Sequence, residues 1–321
     1  MYPKLNIRSR TDFKKWITSK RLTTDEAQTL INDCKKQKDD YWHDYDEMCE
    51  PEKGKYTRSA YKQKPLYRLL RIIDKGLLAP YDKNLPCHIY GGRREISSLD
   101  AASSLINHFR KRWLLKLDLK RFFEQISRER VFKFFYHKCG CKLEFANYVA
   151  DLCCVPEGPK GSGSLKLCIA RGFAPSTRLA VWTNLDFFMQ LRRLVFKSFE
   201  IRKHDPRLMV FIDDIGITVS NTDQKSLEEL RDGIIKLAKK HGLEINLEKT
   251  KIYEPGSEQE ILGVLLHSRT LGFTAKKKEK QKFLKREARG VKNTSAQNKF
   301  YGLMNNKKQM EKRNDAIKAR R

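Results

Sequence analysis

The chain has 321 residues, enough to bury a large core as one elongated domain or as two to three lobes. Its hydrophobic content of 40% is ordinary, but 67 Lys+Arg against 39 Asp+Glu leave a net charge of +28 and a pI near 9.8. The N-terminus "MYPKLNIRSRTDFKKW" lacks the apolar segment of a signal peptide, and no apolar run approaches the ~18 residues of a membrane span. The expectation is a cytoplasmic protein that meets a polyanion, because each phosphate neutralised by Lys or Arg releases condensed counterions. Nucleic acid is the first candidate, and an anionic membrane surface ranks behind it.

In chain order, "TTDEAQTLINDCKK" opens on a Thr/Asp cap signal and carries apolar positions at helical spacing. "KPLYRLLRIIDKGLL" predicts a basic amphipathic helix that ends at its glycine. "LPCHIYGGRREISS" predicts a turn at Gly91 and Gly92 before an extended piece. "WLLKLDLKRFFEQIS" reads as an apolar strand, then Asp118, then an aromatic-rich segment; "RERVFKFFYHK" has the apolar spacing of a helix. Cys139 and Cys141 are spaced C-x-C and Cys153 and Cys154 are adjacent, but no C-x₂-C pairs with a second one. The eight cysteines therefore predict buried reduced thiols rather than a zinc site.

"VPEGPKGSGSLK" predicts a loop; without a G-K-[ST] ending it does not match a phosphate loop. "STRLAVWTNLDFFMQLRRLVF" is apolar nearly all round and predicts one buried helix. "LMVFIDDIGITVS" predicts two strands joined at Asp213 and Asp214. "TDQKSLEELRDGIIKLAKKHG" predicts an amphipathic helix with Leu227, Leu230, Ile234 and Leu237 on one face and a stop at Gly242. "LEINLEKTKIY" and "EILGVLLHS" each read as a strand. From Lys276 onward, 17 Lys+Arg face 4 Asp+Glu, which reads either as a solvated helical face or, preferably, as a nucleic-acid grip. The order predicts an α+β fold, a mostly antiparallel sheet with helices on one face.

The chemistry concentrates in carboxylates. Asp118 ends an apolar strand, and Asp213 and Asp214 stand at the tip of a second strand pair in the same sheet. The Asp pair alone is equally well explained as a polar hairpin turn. Taken with Asp118 and the basic context, it predicts a divalent-metal site, since three carboxylates at one sheet edge repel one another. Mg²⁺ takes oxygen ligands, and a pair of such ions about 4 Å apart serves in-line phosphoryl displacement.

These segments resemble the reverse transcriptases. "LKLDLKRFFEQI" is similar to their first palm motif, and "FIDD" resembles their Y/F-x-D-D motif. "RGFAPSTRLA" is similar to PQG-x-x-x-S-P, "GLEINLEKTKI" to the glycine-leucine-asparagine-lysine segment, and "EILGVLL" to the leucine-glycine strand that follows. "HIYGGRREISSLDAA" resembles the fingers segment of bacterial retron-type and defence-associated members. The five palm motifs and the fingers segment span roughly residues 65 to 270 in the family's order. The departures are Ala170-Arg171 in place of Pro-Gln before the glycine, Thr177 in place of the proline after the serine, and Asp100-Ala101 in place of Asn-Ala.

The resemblance implies a right-hand polymerase: an N-terminal helical extension over 1–60, fingers over 61–112, a palm over 113–267 with a fingers insertion near 138–168, and a short basic helical thumb over 268–321. It implies RNA-directed DNA synthesis with two Mg²⁺ ions, Mn²⁺ being the alternative metal. Asp118 and Asp213 would be the main ligands, Asp214 would support them, and the Leu119 carbonyl would join. Lys249 would protonate the departing pyrophosphate. For the nucleotide, Arg94 would grip the triphosphate, with Arg93 beside it as a rival; Phe123 would act as the gate against a ribose 2′-OH; Gly172 and Ser176 keep the motif's spacing. Arg171 and the tail lysines Lys276, Lys277 and Lys278 would contact nucleic acid. The partners implied are an RNA template (a small noncoding RNA), dNTPs, a DNA product and an effector protein, in a bacterial cytoplasm and in antiviral defence. The alternatives are an untemplated or RNA-synthesising polymerase of the same fold, or a catalytically silent RNA-binding protein.

Overall fold

The computed structural model describes residues 2–5, 7–18, 22–106, 111–290 and 294–318, so short parts of the basic tail fall outside it. The chain divides into two compact units that interleave along the sequence. The first comprises Met1–Cys87, Gly92–Arg94 and Arg121–Asp186; the second comprises His88–Gly91, Glu95–Lys120 and Phe187–Arg321.

The first unit is mainly helical. Its Thr24–Gln37 helix starts with a full capping box, in which Thr23 accepts from the Glu26 N–H and Glu26 returns a bond to the Thr23 N–H. The Pro65–Ile72 helix does not stop at glycine as its sequence predicts. It runs on as a π-helical turn, Ile73–Leu78, through Gly76. A Cβ on Gly76 would lie 2.0 Å from the Trp16 ring, so this glycine answers to packing and not to chain termination. The predicted loop after Val155 is the connection of a two-stranded antiparallel ladder, Cys154–Pro156 with Leu167–Ile169. Trp42–Asp44 pairs with Arg58–Ala60 in a second ladder. Phe13, Leu66, Leu69, Phe135, Phe145 and Trp182 form the buried heart of the unit.

The second unit holds a four-stranded antiparallel sheet in the order Arg207–Phe211, Asp214–Val219, Trp113–Asp118, Lys251–Tyr253. The Gln224–Lys240 helix is capped by Asp223 and buries Leu227, Leu230, Ile234 and Ala238, close to the predicted face. "LEINLEKTKIY" yields only the three-residue strand Lys251–Tyr253, preceded by a 3₁₀ turn at Leu247–Lys249. "EILGVLLHS" is not one strand but two, Gln259–Ile261 and Val264–Leu266, folded on each other at Leu262-Gly263 and joined by Leu271–Phe273 in a three-stranded sheet. The predicted single helix over "STRLAVWTNLDFFMQLRRLVF" breaks at Asn184 into Ser176–Thr183 and Leu185–Ser198, because Asn184 leaves helical φ/ψ and bonds the Ala180 carbonyl with its own side chain.

The basic tail forms two helices, Ala275–Gly290 and Thr294–Lys318. It is more than a charged face. Met310 and Ile317 enter the same apolar cluster as Leu99, Met209, Ile261 and Phe273. Asn314 bonds both the N–H and the C=O of Leu271, and Arg313 pairs with Asp100.

Candidate active site

The apolar runs of "WLLKLD" and "LMVFIDDIGITVS" explain the strand pairing directly. Their β-branched and large side chains fill both faces of a central ladder, and Leu114, Leu115, Leu117, Ile215, Ile217 and Val219 are all buried. In that ladder Asp118 lies opposite Asp214, and Asp214 also pairs with Phe211 across the hairpin. The loop is therefore Ile212-Asp213, and Asp214 is the first rung of the next strand. The predicted tip was centred one residue too far along. Ile212 has φ +62°, a left-handed value at the first position of a two-residue hairpin loop, where glycine is favoured. A β-branched residue there stores roughly 1–3 kcal/mol of strain.

Backbone bonds hold both sides of the loop. The Leu119 N–H donates to the Asp213 carbonyl at 2.9 Å, and the Asn246 N–H donates to the Asp118 carbonyl at 2.8 Å. Lys249 Nζ lies 3.2 Å from Asp118 Oδ1. Asp118, Leu119, Asp213, Asp214 and Lys249 thus meet at one end of the sheet. Burial, then the charges of Asp213 and Asp118, push the Asp214 carboxyl up to about 6, against the lowering pull of Lys116 and Lys249. Among the described residues no group of three His, Cys, Asp or Glu side chains is arranged to hold a metal ion. The donor set nevertheless suits a hard divalent cation: these are carboxylate oxygens whose mutual repulsion is visible in Asp214.

The other candidates lie mostly in the first unit. Arg171 donates to both oxygens of Glu124, each at 3.2 Å, and its guanidinium carbon lies 4.9 Å from the centre of the Phe123 ring. Ser176 is buried and its hydroxyl donates to the Ala170 carbonyl at 2.6 Å. Gly172 has φ +97°, and a Cβ there would lie 2.4 Å from the Arg58 carbonyl oxygen and 2.9 Å from Thr57 Cγ2. Gly172 and Ser176 therefore shape the loop that carries Arg171. Replacing Gly172 by Ala adds both backbone strain and a clash with main chain, and should lower stability by about 2–3 kcal/mol in urea titrations. An unchanged urea midpoint would show that the loop relaxes freely.

Of the two fingers arginines, Arg93 spends its guanidinium on the carbonyls of Leu85 and Pro86. Arg94 is exposed, with its N–H held by Asp82 at 3.0 Å. In the second unit Lys276 and Lys278 are exposed, whereas Lys277 is partly buried with its ammonium over the Phe273 ring. The cysteines are all free and six are buried; burial pushes the thiols of Cys141, Cys153 and Cys168 up to about 12. Sequence reasoning passed over Glu124, although a carboxylate directly after Phe123 was a visible signal. It read Gly91 only as a turn residue; the contact of Gly91 with the hairpin comes from the tertiary structure alone.

Comparison with known proteins bears on the same residues. The family model described as reverse transcriptase (RNA-dependent DNA polymerase) matches residues 61–284. Retron Ec86 reverse transcriptase of Escherichia coli is 24% identical over 215 residues, which cover 65% of this chain and 56% of that protein. The chain thus spans little more than half the length of this curated relative. Among solved structures, telomerase from Candida albicans with a fragment of telomeric RNA aligns at TM-score 0.43 and 12% identity, over 79% of this chain and 47% of that one. The foamy viral protease-reverse transcriptase with an RNA/DNA hybrid aligns at TM-score 0.45 and 14% identity, over 80% and 26%. The family match takes in Asp118, the Ile212-Asp213 loop with Asp214, Lys249 and the Arg171 segment together, and the chain belongs to the reverse transcriptase family, with the α+β, right-hand polymerase fold that its motifs imply.

Proposed function

We propose that this protein is an RNA-directed DNA polymerase that extends a primer 3′-hydroxyl with dNTPs. The observation that carries the reading is the ladder register, which sets Asp118 opposite Asp214 and leaves Asp213 in the loop beside them. Asp118 and Asp213 would hold two Mg²⁺ ions, or Mn²⁺, with help from Asp214 and the Leu119 carbonyl. When bound, such ions lower the pKa of the attacking hydroxyl and neutralise charge on the leaving pyrophosphate. Lys249 keeps its ammonium beside Asp118 and supplies the proton to the pyrophosphate oxygen. Arg94 binds the triphosphate, and the Phe123 ring excludes a ribose 2′-OH. The four-stranded sheet belongs to the palm and the two C-terminal helices to the thumb. A small noncoding RNA as template and a role in antiviral defence rest on the resemblance of "HIYGGRREISSLDAA" to the fingers segment of retron-type and defence-associated members.

Primer extension on matched RNA and DNA templates, with dNTPs or NTPs, tests this reading. Templated dNTP addition on RNA is expected; equal use of NTPs, or addition without template, would replace it with another polymerase activity. The thumb reading has its own test. Because Met310 and Ile317 anchor the tail, substitution is cleaner than deletion. Changing the exposed Lys276, Lys278 and Lys280 to Gln should reduce the salt slope of RNA binding by about 2–3. An unaltered slope would mark these lysines as solvated surface.

A further inference from the structure

Arg171 stands where the family motif has glutamine, and its surroundings are built for a guanidinium. Glu124 offers both carboxylate oxygens to Nε and Nη2 in a two-pronged pair. That carboxylate is 10% exposed and the guanidinium side chain 22%, so most of the pair is out of water. The main chain around it is fastened too. The Arg58 N–H donates to the Arg171 carbonyl at 2.6 Å, and Ser176 holds the neighbouring Ala170 carbonyl. Arg58 lies just ahead of the family-matched residues 61–284, so this fastening comes from the chain's own N-terminal ladder. The guanidinium lies over the Phe123 ring, close enough for a cation–π contact.

We propose that Arg171 is a positioning residue that sets sugar discrimination: clamped by Glu124, it holds the Phe123 ring in the orientation that rejects ribonucleotides. Neutralised by Glu124, it is not a phosphate grip. Two adjacent residues of one segment, Phe123 and Glu124, are thereby tied to one side chain that lies 47 positions beyond Glu124. A ring covered on one face by a fixed plane cannot tilt away from an incoming 2′-OH. With the plane gone, the ring has room to rock. A small loss of fit in such a pocket is worth about 10–200-fold in discrimination.

The proposal rests on Phe123 being the gate, and the test separates the two claims. Full-length protein would be assayed for dNTP and rNTP addition on one RNA template, as Phe123→Ala, Arg171→Gln, Glu124→Gln and the exchanged pair Arg171→Glu with Glu124→Arg. Phe123→Ala should relax discrimination by about 100-fold, and Arg171→Gln and Glu124→Gln by about tenfold each, chiefly through a lower KM for rNTP. The exchanged pair, which restores the ion pair, should recover part of the loss. Relaxation by Phe123→Ala alone would leave the gate standing and overturn the positioning role. A salt slope of RNA binding that falls on Arg171→Gln, with discrimination intact, would overturn it in favour of a phosphate contact. No effect of Phe123→Ala would remove the gate and the proposal together.

Discussion

Asp213→Asn should reduce primer extension by about 10³-fold or more and at the same time make the protein harder to melt. On the proposed reading, the loss follows from removing a carboxylate that would hold the metal ions at the reacting phosphate, where charge changes most. The gain follows from electrostatics. Asp214 is pushed up to about 6 by burial and by Asp213 and Asp118, so the folded state binds a proton more tightly than the unfolded chain does. Stability from this group is full below the ordinary carboxylate range near 4 and is lost as pH rises through about 6. At pH 7.5 in metal-free buffer, neutralising Asp213 should return on the order of 1 kcal/mol, or about 2–4 °C in Tm. At pH 5 the gain should vanish, because Asp214 is then largely protonated. Melting curves at the two pH values check the sign, and single-turnover extension checks the chemistry. Undiminished extension would remove Asp213 from the reaction; a pH-independent gain would mean that repulsion is not what raises Asp214.

Gly91→Ala should cost about 100-fold in extension while leaving most of the fold intact. Tyr90 and Gly91 both donate to the Val210 carbonyl, at 2.8 and 3.3 Å, which lays the segment against the hairpin that carries Asp213 and Asp214. A Cβ on Gly91 would stand 2.3 Å from the Ile212 nitrogen and 3.0 Å from the Phe211 carbonyl carbon. Those are main-chain atoms of the loop and of the strand end that feeds it, so the loop must shift, and a displacement of about 1 Å at a reacting group is worth about 10² in rate. The loop is also already strained at Ile212, which makes an alternative geometry accessible. The measurement is kcat against Tm: a fall in kcat with Tm within a few degrees supports the account. Full activity would show that the hairpin can absorb the methyl group.

Much of this site could be read from the chain. Apolar runs that end in carboxylates located Asp118 and the hairpin, and the clean 3.6-residue pattern of "SLEELRDGIIKLAKK" located its helix, because both signals are local. What stayed hidden depended on distant partners. The loop position was misjudged because it is set by the Phe211–Asp214 rung and by Asp118 across the sheet. Glu124 gained meaning only when Arg171 arrived on it. Gly76 looked like a helix stop until Trp16 was found against it. The tail looked like charge alone, since the buried apolar side chains among its described residues, Leu284, Met310 and Ile317, leave little trace in so basic a segment.

The strand that ends in Asp118 lies inside its sheet, with the Asp214–Val219 strand on one side and the Lys251–Tyr253 strand on the other. Both neighbours are encoded far downstream; Lys249, beside the second, is 131 residues from Asp118. During synthesis at about 5–20 residues per second, that apolar strand waits many seconds without a partner. Pairings of such range are slow to form and exposed to misassociation meanwhile. The three aspartates thus come together late in folding, and slow, cool expression or chaperone supply should govern how much active protein a cell yields.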